Sequence, residues 1–267
     1  MPFADYHVHT PLCRHAQGSP AEYVQAAIAA NLDEIGFSDH VPLPGGFDAD
    51  QRMLLAELPD YVAAVEELGG QFPEIKVRLG LEADFRPGME EAVAAVLAAH
   101  PWDFVLGSVH HIGEWGFDNP RFRDEWDRRE IVAVWREYYA LVARAAASGL
   151  CDVLAHFDLP KVFGHRPGPA ALEVELARPA LEAVARHGLA LEVSTGGLRK
   201  PCAEIYPAEA VLREAFALGI PVTLGSDAHQ PADVAFGLAQ AVALLRRVGY
   251  RSYLVYSRRK AHEAALL

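Results

Sequence analysis

Cysteine is scarce. Cys13, Cys151 and Cys202 are odd in number and far apart, and no Cys-x-x-Cys pair exists. This excludes a disulfide framework and a thiolate zinc site, and it favours a reducing, cytoplasmic setting. No apolar run approaches the roughly 18 residues that span a bilayer. The first residues are polar, without the basic-then-apolar pattern of a secretory signal, so no membrane partner is expected. Positive charge is also sparse. The 24 Lys and Arg against 36 Asp and Glu leave a formal net charge of −12, which argues against long nucleic acid. A small phosphorylated substrate remains compatible, because bound cations reverse the potential inside one pocket. There is no Gly-x-Ser-x-Gly elbow and no Gly-rich loop ending in Lys-Ser/Thr, so a serine hydrolase and an ATP-binding P-loop are poor readings. Low-complexity segments and short solenoid repeats are missing too. No motif speaks to the oligomeric state.

What the chain does have is histidine. Asp5-Tyr6-His7-Val8-His9 alternates polar and apolar residues as a strand does, so His7 and His9 share a face. An isolated His-x-His is as often two solvent-facing residues on a half-buried strand as a metal-binding pair. The rest of the chain changes that balance. Buried-strand patterns recur at 34–38, 77–81, 104–109, 153–155, 189–193 and 222–225, and they end at His40, Glu82, His110, His156, Ser194 and Asp227. Helical patterns separate them. They run from Pro20, over about 51–68 with a break near Pro59, and over 89–99, 129–148, 170–187, 207–218 and 233–248. Tyr253–Tyr256 reads as a terminal strand. A chain of 267 residues with 51% hydrophobic residues is long enough for one α/β domain over residues 1–267. Ligand candidates at the ends of six strands favour a closed or nearly closed seven-unit βα barrel, with the site at the C-terminal ends of the strands.

Seven imidazoles (His7, His9, His15, His40, His110, His156, His229) and two carboxylates (Glu82, Asp227) form this set. Nine donors exceed what one tetrahedral zinc needs, so two to three divalent ions are expected. Zinc, iron and manganese all suit imidazole with carboxylate. Asp5, Asp39 and Asp158 are read as groups that orient imidazoles, with Asp158 also a candidate proton donor. His111, His100, His165, His187 and His262 are read as ordinary polar residues.

These motifs resemble the PHP superfamily (polymerase and histidinol phosphatase): Asp5-x-His7-x-His9, His15, Ser38-Asp39-His40, Gly80-Leu81-Glu82, Ser108-Val109-His110, His156 and Ser226-Asp227-Ala228-His229. The resemblance spans residues 5–229 and implies a distorted (β/α)7 barrel with a trinuclear metal centre. It implies that His7 and His9 hold one ion with Glu82 and Asp227. Glu82 would bridge to a second ion held by His110 and His156, while His15, His40 and His229 hold the third. Within the superfamily the chain looks most like the stand-alone histidinol-phosphate phosphatases of histidine biosynthesis. That implies hydrolysis of L-histidinol phosphate by a metal-activated hydroxide. It also implies phosphate binding by Arg199 and Lys161, although arginine is more usual than lysine at the latter position. The long connection 113–127 is read as a lid or substrate loop, with Glu114, Trp115 and Phe117 facing the imidazole and amine. Two other functions compete: a nucleotide or oligonucleotide phosphoesterase of the same superfamily, and a non-catalytic metal-binding module.

Overall fold

The computed structural model describes residues 3–266. Seven parallel strands lie side by side in chain order: β1 (Ala4–Val8), β2 (Glu34–Phe37), β3 (Lys76–Asp84), β4 (Phe104–Ser108), β7 (Val153–Leu154), β8 (Ala190–Ser194) and β9 (Val222–Gly225). A short hairpin, β5 (His111–Ile112) with β6 (Trp115–Gly116), interrupts the series after β4. The helices between strands are α1 (Pro20–Ala29), α2 (Leu58–Gln71), α3 (Glu90–Ala98), α4 (Ile131–Ala147), α5 (Ala170–Arg186), α6 (Glu209–Ala217) and α7 (Leu238–Val248). Parallel neighbours need such crossovers, and strands covered on both faces carry near-continuous Val, Ile and Leu. The first and last strands lie side by side, and their described backbone hydrogen bonds fall just past their C-terminal ends, where the His9 amide donates to Ala228 O and the Ala228 amide to His7 O, both at 3.0 Å. This nearly closed barrel is the distorted (β/α)7 architecture expected from the sequence.

The opposite end is filled from within and covered from below. Tyr6 and Phe104 meet edge to face at 4.8 Å inside the barrel. Gly80 makes room for them, because a Cβ there would lie 2.3 Å from the Phe104 ring. A C-terminal hairpin, β10 (Ser252–Ser257) with β11 (Lys260–Ala265), closes this end. The Tyr253 hydroxyl accepts from the Ala4 amide at 3.2 Å, and the Tyr256 amide donates to Tyr6 Oη at 3.0 Å. Two helix boundaries depart from expectation. Pro59 sits in the first turn of α2, where its missing N–H is harmless, so it starts that helix instead of breaking it. The last helix begins at Leu238, not Asp233, after Gly237 takes a left-handed φ of 72°.

Candidate metal centre

All nine candidate donors converge at the C-terminal ends of the barrel strands. Glu82, fully buried at the end of β3, is the centre of the cluster. Its Oε2 lies 2.9 Å from His40 Nδ1, 3.5 Å from His7 Nε2 and 3.7 Å from His9 Nε2. Its Oε1 lies 3.0 Å from His156 Nε2 and 3.4 Å from His110 Nε2. Asp227 approaches from the other side, with Oδ1 3.4 Å from His9 Nε2 and 3.7 Å from His7 Nε2. His15 and His229 complete the ring: they stack at 4.6 Å, and His229 stacks on His9 at 4.1 Å. His156 and Asp227 hold left-handed backbone angles, φ 51° and 55°. Non-glycine residues rarely adopt such angles, and here they turn two side chains inward just after their strands.

The imidazoles are aimed by acceptors behind them. His7 Nδ1 lies 2.7 Å from Glu192 Oε1, and His110 Nδ1 lies 2.8 Å from Asp84 Oδ1. His15 Nδ1 and His229 Nδ1 contact the carbonyls of Cys13 and Asp227 at 2.7 and 3.1 Å. Carbonyl and ionised carboxylate oxygens only accept, so in each case Nδ1 carries the hydrogen and Nε2 turns to the cluster. Glu192 and Asp84 were not among the candidates from sequence. The signals were there: Glu192 is a charge inside the apolar run Leu191–Val193, and Asp84 follows Glu82 by two, on the same face of β3. Gly225 lets Glu192 through, since a Cβ there would lie 2.0 Å from its Oε1.

The electrostatics favour a cation. Buried inward atoms stand without a hydrogen-bond partner: Nε2 of His7, His9 and His229, Nδ1 of His40, and Oε2 of Glu82. Burial alone pushes Glu82 and Asp227 up, but the surrounding imidazoles hold both well below the usual carboxylate range. Burial pushes His7 and His110 down, yet neighbouring carboxylates win and raise both, His110 to about 10. His40, desolvated and beside other imidazoles, is lowered to about 3. Ionised carboxylates and crowded imidazoles, several of them held unprotonated and with no lysine or arginine among their ion pairs, fit divalent ions. Ligand atoms of His7, His9 and Glu82 lie within 4.8 Å of one another, as do those of His9, His40 and His229.

The remaining candidates divide. Asp39 Oδ1 lies 3.6 Å from His9 Nδ1, and Asp39 also accepts from the amides of Thr10 and His40. Asp5 touches no imidazole. It accepts from the backbone amides of Ser226 at 2.8 Å and Ala235 at 2.9 Å, and so holds the chain on either side of Asp227–His229. Asp158 is fully buried and bound to Lys161 Nζ and the Ala208 amide, both at 2.7 Å, away from the imidazoles it was expected to orient. Lys161 is equally buried; its ammonium also donates to Ile205 O at 2.8 Å and lies 3.4 Å from Glu204, so it does not present a charge to the cavity. Trp115 and Phe117 pack against Trp126, and Glu114 points outward to Arg86. The expected substrate-facing aromatics are therefore core.

A cavity of about 470 Å³ opens above the cluster. Gly116, Asp118, Asn119 and Pro120 line it in place of Glu114, Trp115 and Phe117, as does His111, which the sequence reading set aside. Arg199 lines the opposite wall. Its Nη2 donates to Ser226 O and Asp227 O at 2.7 and 2.9 Å, while Nη1 is buried and unpartnered. No helix of the described residues is long and apolar enough to cross a membrane.

The PHP domain family matches residues 5–196. The chain is 51% identical to a probable histidinol-phosphatase of Deinococcus radiodurans, over 93% of this chain and 94% of that one. It is 29% identical to a histidinol-phosphatase of Bacillus subtilis, over 87% of this chain and 95% of that one. The fold matches that of a Lactococcus lactis histidinol phosphate phosphatase solved with zinc, L-histidinol and phosphate. That likeness has a TM-score of 0.84 at 24% identity, covering 97% of this chain and 98% of that one. With its strand-end histidines and carboxylates gathered in one such barrel, the chain belongs to the PHP domain family, alongside relatives named histidinol-phosphatases.

Proposed function

We propose that this protein is a metal-dependent histidinol-phosphatase of histidine biosynthesis, hydrolysing L-histidinol phosphate to L-histidinol and inorganic phosphate. One observation carries the reading: unpartnered imidazole nitrogens and two ionised carboxylates converge beside a free arginine donor at the floor of a cavity sized for a small molecule. His7, His9, Glu82 and Asp227 would hold one divalent ion. Glu82, His110 and His156 would hold a second, and His15, His40 and His229 a third. Zinc is the ion named for the Lactococcus protein, and iron and manganese suit the same donors. When bound, such ions supply Lewis acidity toward a phosphate ester and make water more acidic.

The chain's own residues do the rest. Glu192 and Asp84 keep His7 and His110 in the tautomer that turns Nε2 inward. Arg199 offers Nη1 to a phosphate oxygen while the carbonyls of Ser226 and Asp227 fix its other arm. The polar rim at Asp48, Asp118 and Asn119 faces the part of the cavity left to the organic portion of the substrate. Free Cys13, Cys151 and Cys202 suit a cytoplasmic enzyme. The test is phosphate release from L-histidinol phosphate beside a nucleotide panel, with and without prior chelation. The reading expects a strong preference for histidinol phosphate, lost on chelation and regained with added metal. Activity confined to nucleotides would overturn the substrate, and undiminished activity after verified metal removal would overturn the chemistry.

A further inference from the structure

Bound ions aside, the protein itself brings few cations to the cavity for a phosphate dianion. Its lining carries five carboxylates, Asp48, Glu82, Asp118, Asp227 and Asp233, within a chain of net charge −12. Arg199 alone is a restricted donor. Its Nη2 is committed to two carbonyls, and its Nε lies 3.4 Å from Asp233, so the two-pronged grip that makes arginine a strong phosphate ligand is not free. Arg52 is spent as well: its Nη2 holds both Asp84 and Asp48, and its Nη1 holds Val41 O. Lys161 is fully buried among Asp158, Glu204 and Ile205 O, with the Tyr206 ring 5.0 Å from its ammonium. Drawing it toward the cavity would strand the Asp158 carboxylate, itself fully buried.

One lining cation remains. Lys200 follows Arg199 directly, at the end of the 3-10 turn Gly196–Arg199, where the chain turns extended (φ −105°, ψ 167°). It is exposed, lines the cavity, and has no acidic partner among the described residues. Its turn is tied down by the Lys200 amide donating to Gly197 O at 3.1 Å and the Cys202 amide donating to Val162 O at 3.1 Å. Lysine differs from arginine in presenting a compact point charge on a flexible stem, which suits capture of a dianion at a rim.

Resting on the phosphoester reading above, we propose that Lys200, and not Lys161, is the second phosphate-binding cation of this protein. Lys161 instead anchors Asp158 and the chain at 204–205. The experiment titrates the metal-loaded protein with inorganic phosphate by calorimetry and uses the same anion to inhibit histidinol release from histidinol phosphate. Lys200→Gln should weaken phosphate by about tenfold, the size of one charge-assisted hydrogen bond, with an unchanged melting temperature. Lys200→Arg should stay within about threefold, because the charge is kept. The Lys200→Gln defect should shrink as salt rises, since exposed charges are screened. Lys161→Met should lower the melting temperature yet bind phosphate within about threefold of the parent wherever it is folded. Phosphate binding by Lys200→Gln that equals the parent's overturns the proposal. So does a tenfold loss in a Lys161→Met protein of unchanged stability, or a parent that binds no phosphate. A parent that binds phosphate through Lys200 but never hydrolyses histidinol phosphate would instead overturn the histidinol reading alone.

Discussion

Two assemblies of ionisable side chains lie a few residues apart, and they are opposites. The first gathers seven imidazoles around Glu82 and Asp227 and has no arginine or lysine among its ion pairs. The second starts two residues after His156 and joins Asp158, Lys161, Glu204, Arg166 and Glu173. There nearly every donor meets an acceptor. Both are costly to bury, but the first leaves lone pairs aimed at a common centre, while the second pairs its charges with one another and leaves only Glu173 Oε1 and Asp158 Oδ1 over. Incompleteness is what points to an external cation; buried charge alone does not. The contrast also explains how one chain segment, 156–161, carries a site residue at one end and scaffold at the other.

The comparison breaks most visibly at Glu82, which faces five imidazoles. Glu82→Gln removes the charge that unites the cluster, so turnover should fall by about a thousandfold or more. Elemental analysis should find fewer ions per chain; a full complement of metal with parental turnover would defeat the assignment. His7→Ala should behave alike. A smaller effect is expected one bond further out. Glu192→Gln leaves the His7 ring in place but removes the charge on its Nδ1, for a loss of about 10- to 100-fold in metal affinity or turnover. Parental metal affinity in that variant would make Glu192 a packing residue.

In the second assembly the expected loss is of stability, not activity. Lys161→Met leaves Asp158 buried without its cation, which should cost about 3 kcal/mol or more in denaturant unfolding. If unfolding is unchanged while phosphate binding fails, Lys161 belongs to the site after all.

This division shows what a sequence can disclose. Strand-end donors are legible because a period of two fixes which residues share a face, and because strand after strand ends alike. His7, His9 and Glu82 need no tertiary information beyond that. Lys161 was misplaced because, besides Asp158 three residues before it, its acceptors are Glu204 and Ile205, more than 40 residues away and brought close only by the packing of the chain after β8. Trp115 and Phe117 were misplaced because length and aromatic content mark a loop as unusual without saying which way its rings turn. Here they turn inward onto Trp126 and Tyr138. The same loop does reach the cavity, through Gly116, Asp118 and Asn119. Asp5 looked like a partner for imidazole because it stands two residues from His7, but side chains of the same face need not touch, and its oxygens serve backbone amides across the barrel seam.

The smallest expected effect tests whether the second assembly is as complete as it looks. Glu173 Oε2 accepts from Arg166 at 2.9 Å, but its Oε1 and Asp158 Oδ1 are both buried without a partner. Burial first, and then the nearby Asp158 carboxylate, push Glu173 up to about 7, against the pull of Lys161 and Arg166. Tyr139 and Glu204 also face this group, and neither supplies a positive charge. A proton on Glu173, donated to the Asp158 carboxylate, would satisfy both stranded oxygens at once. The folded state therefore binds more protons than the unfolded chain between the ordinary glutamate range and neutrality. Its contribution to stability is full below about pH 4.5 and is lost as pH rises through about 7. Glutamine at 173 mimics the protonated acid and does not titrate. Glu173→Gln should thus gain about 1–3 kcal/mol over the parent at pH 8 and nothing at pH 4.5, measured by urea unfolding across the range. If Glu173→Gln is equally destabilising at both pH values, Glu173 is an ordinary ionised partner of Arg166. The second assembly would then be closed by ion pairs alone, with no shared proton.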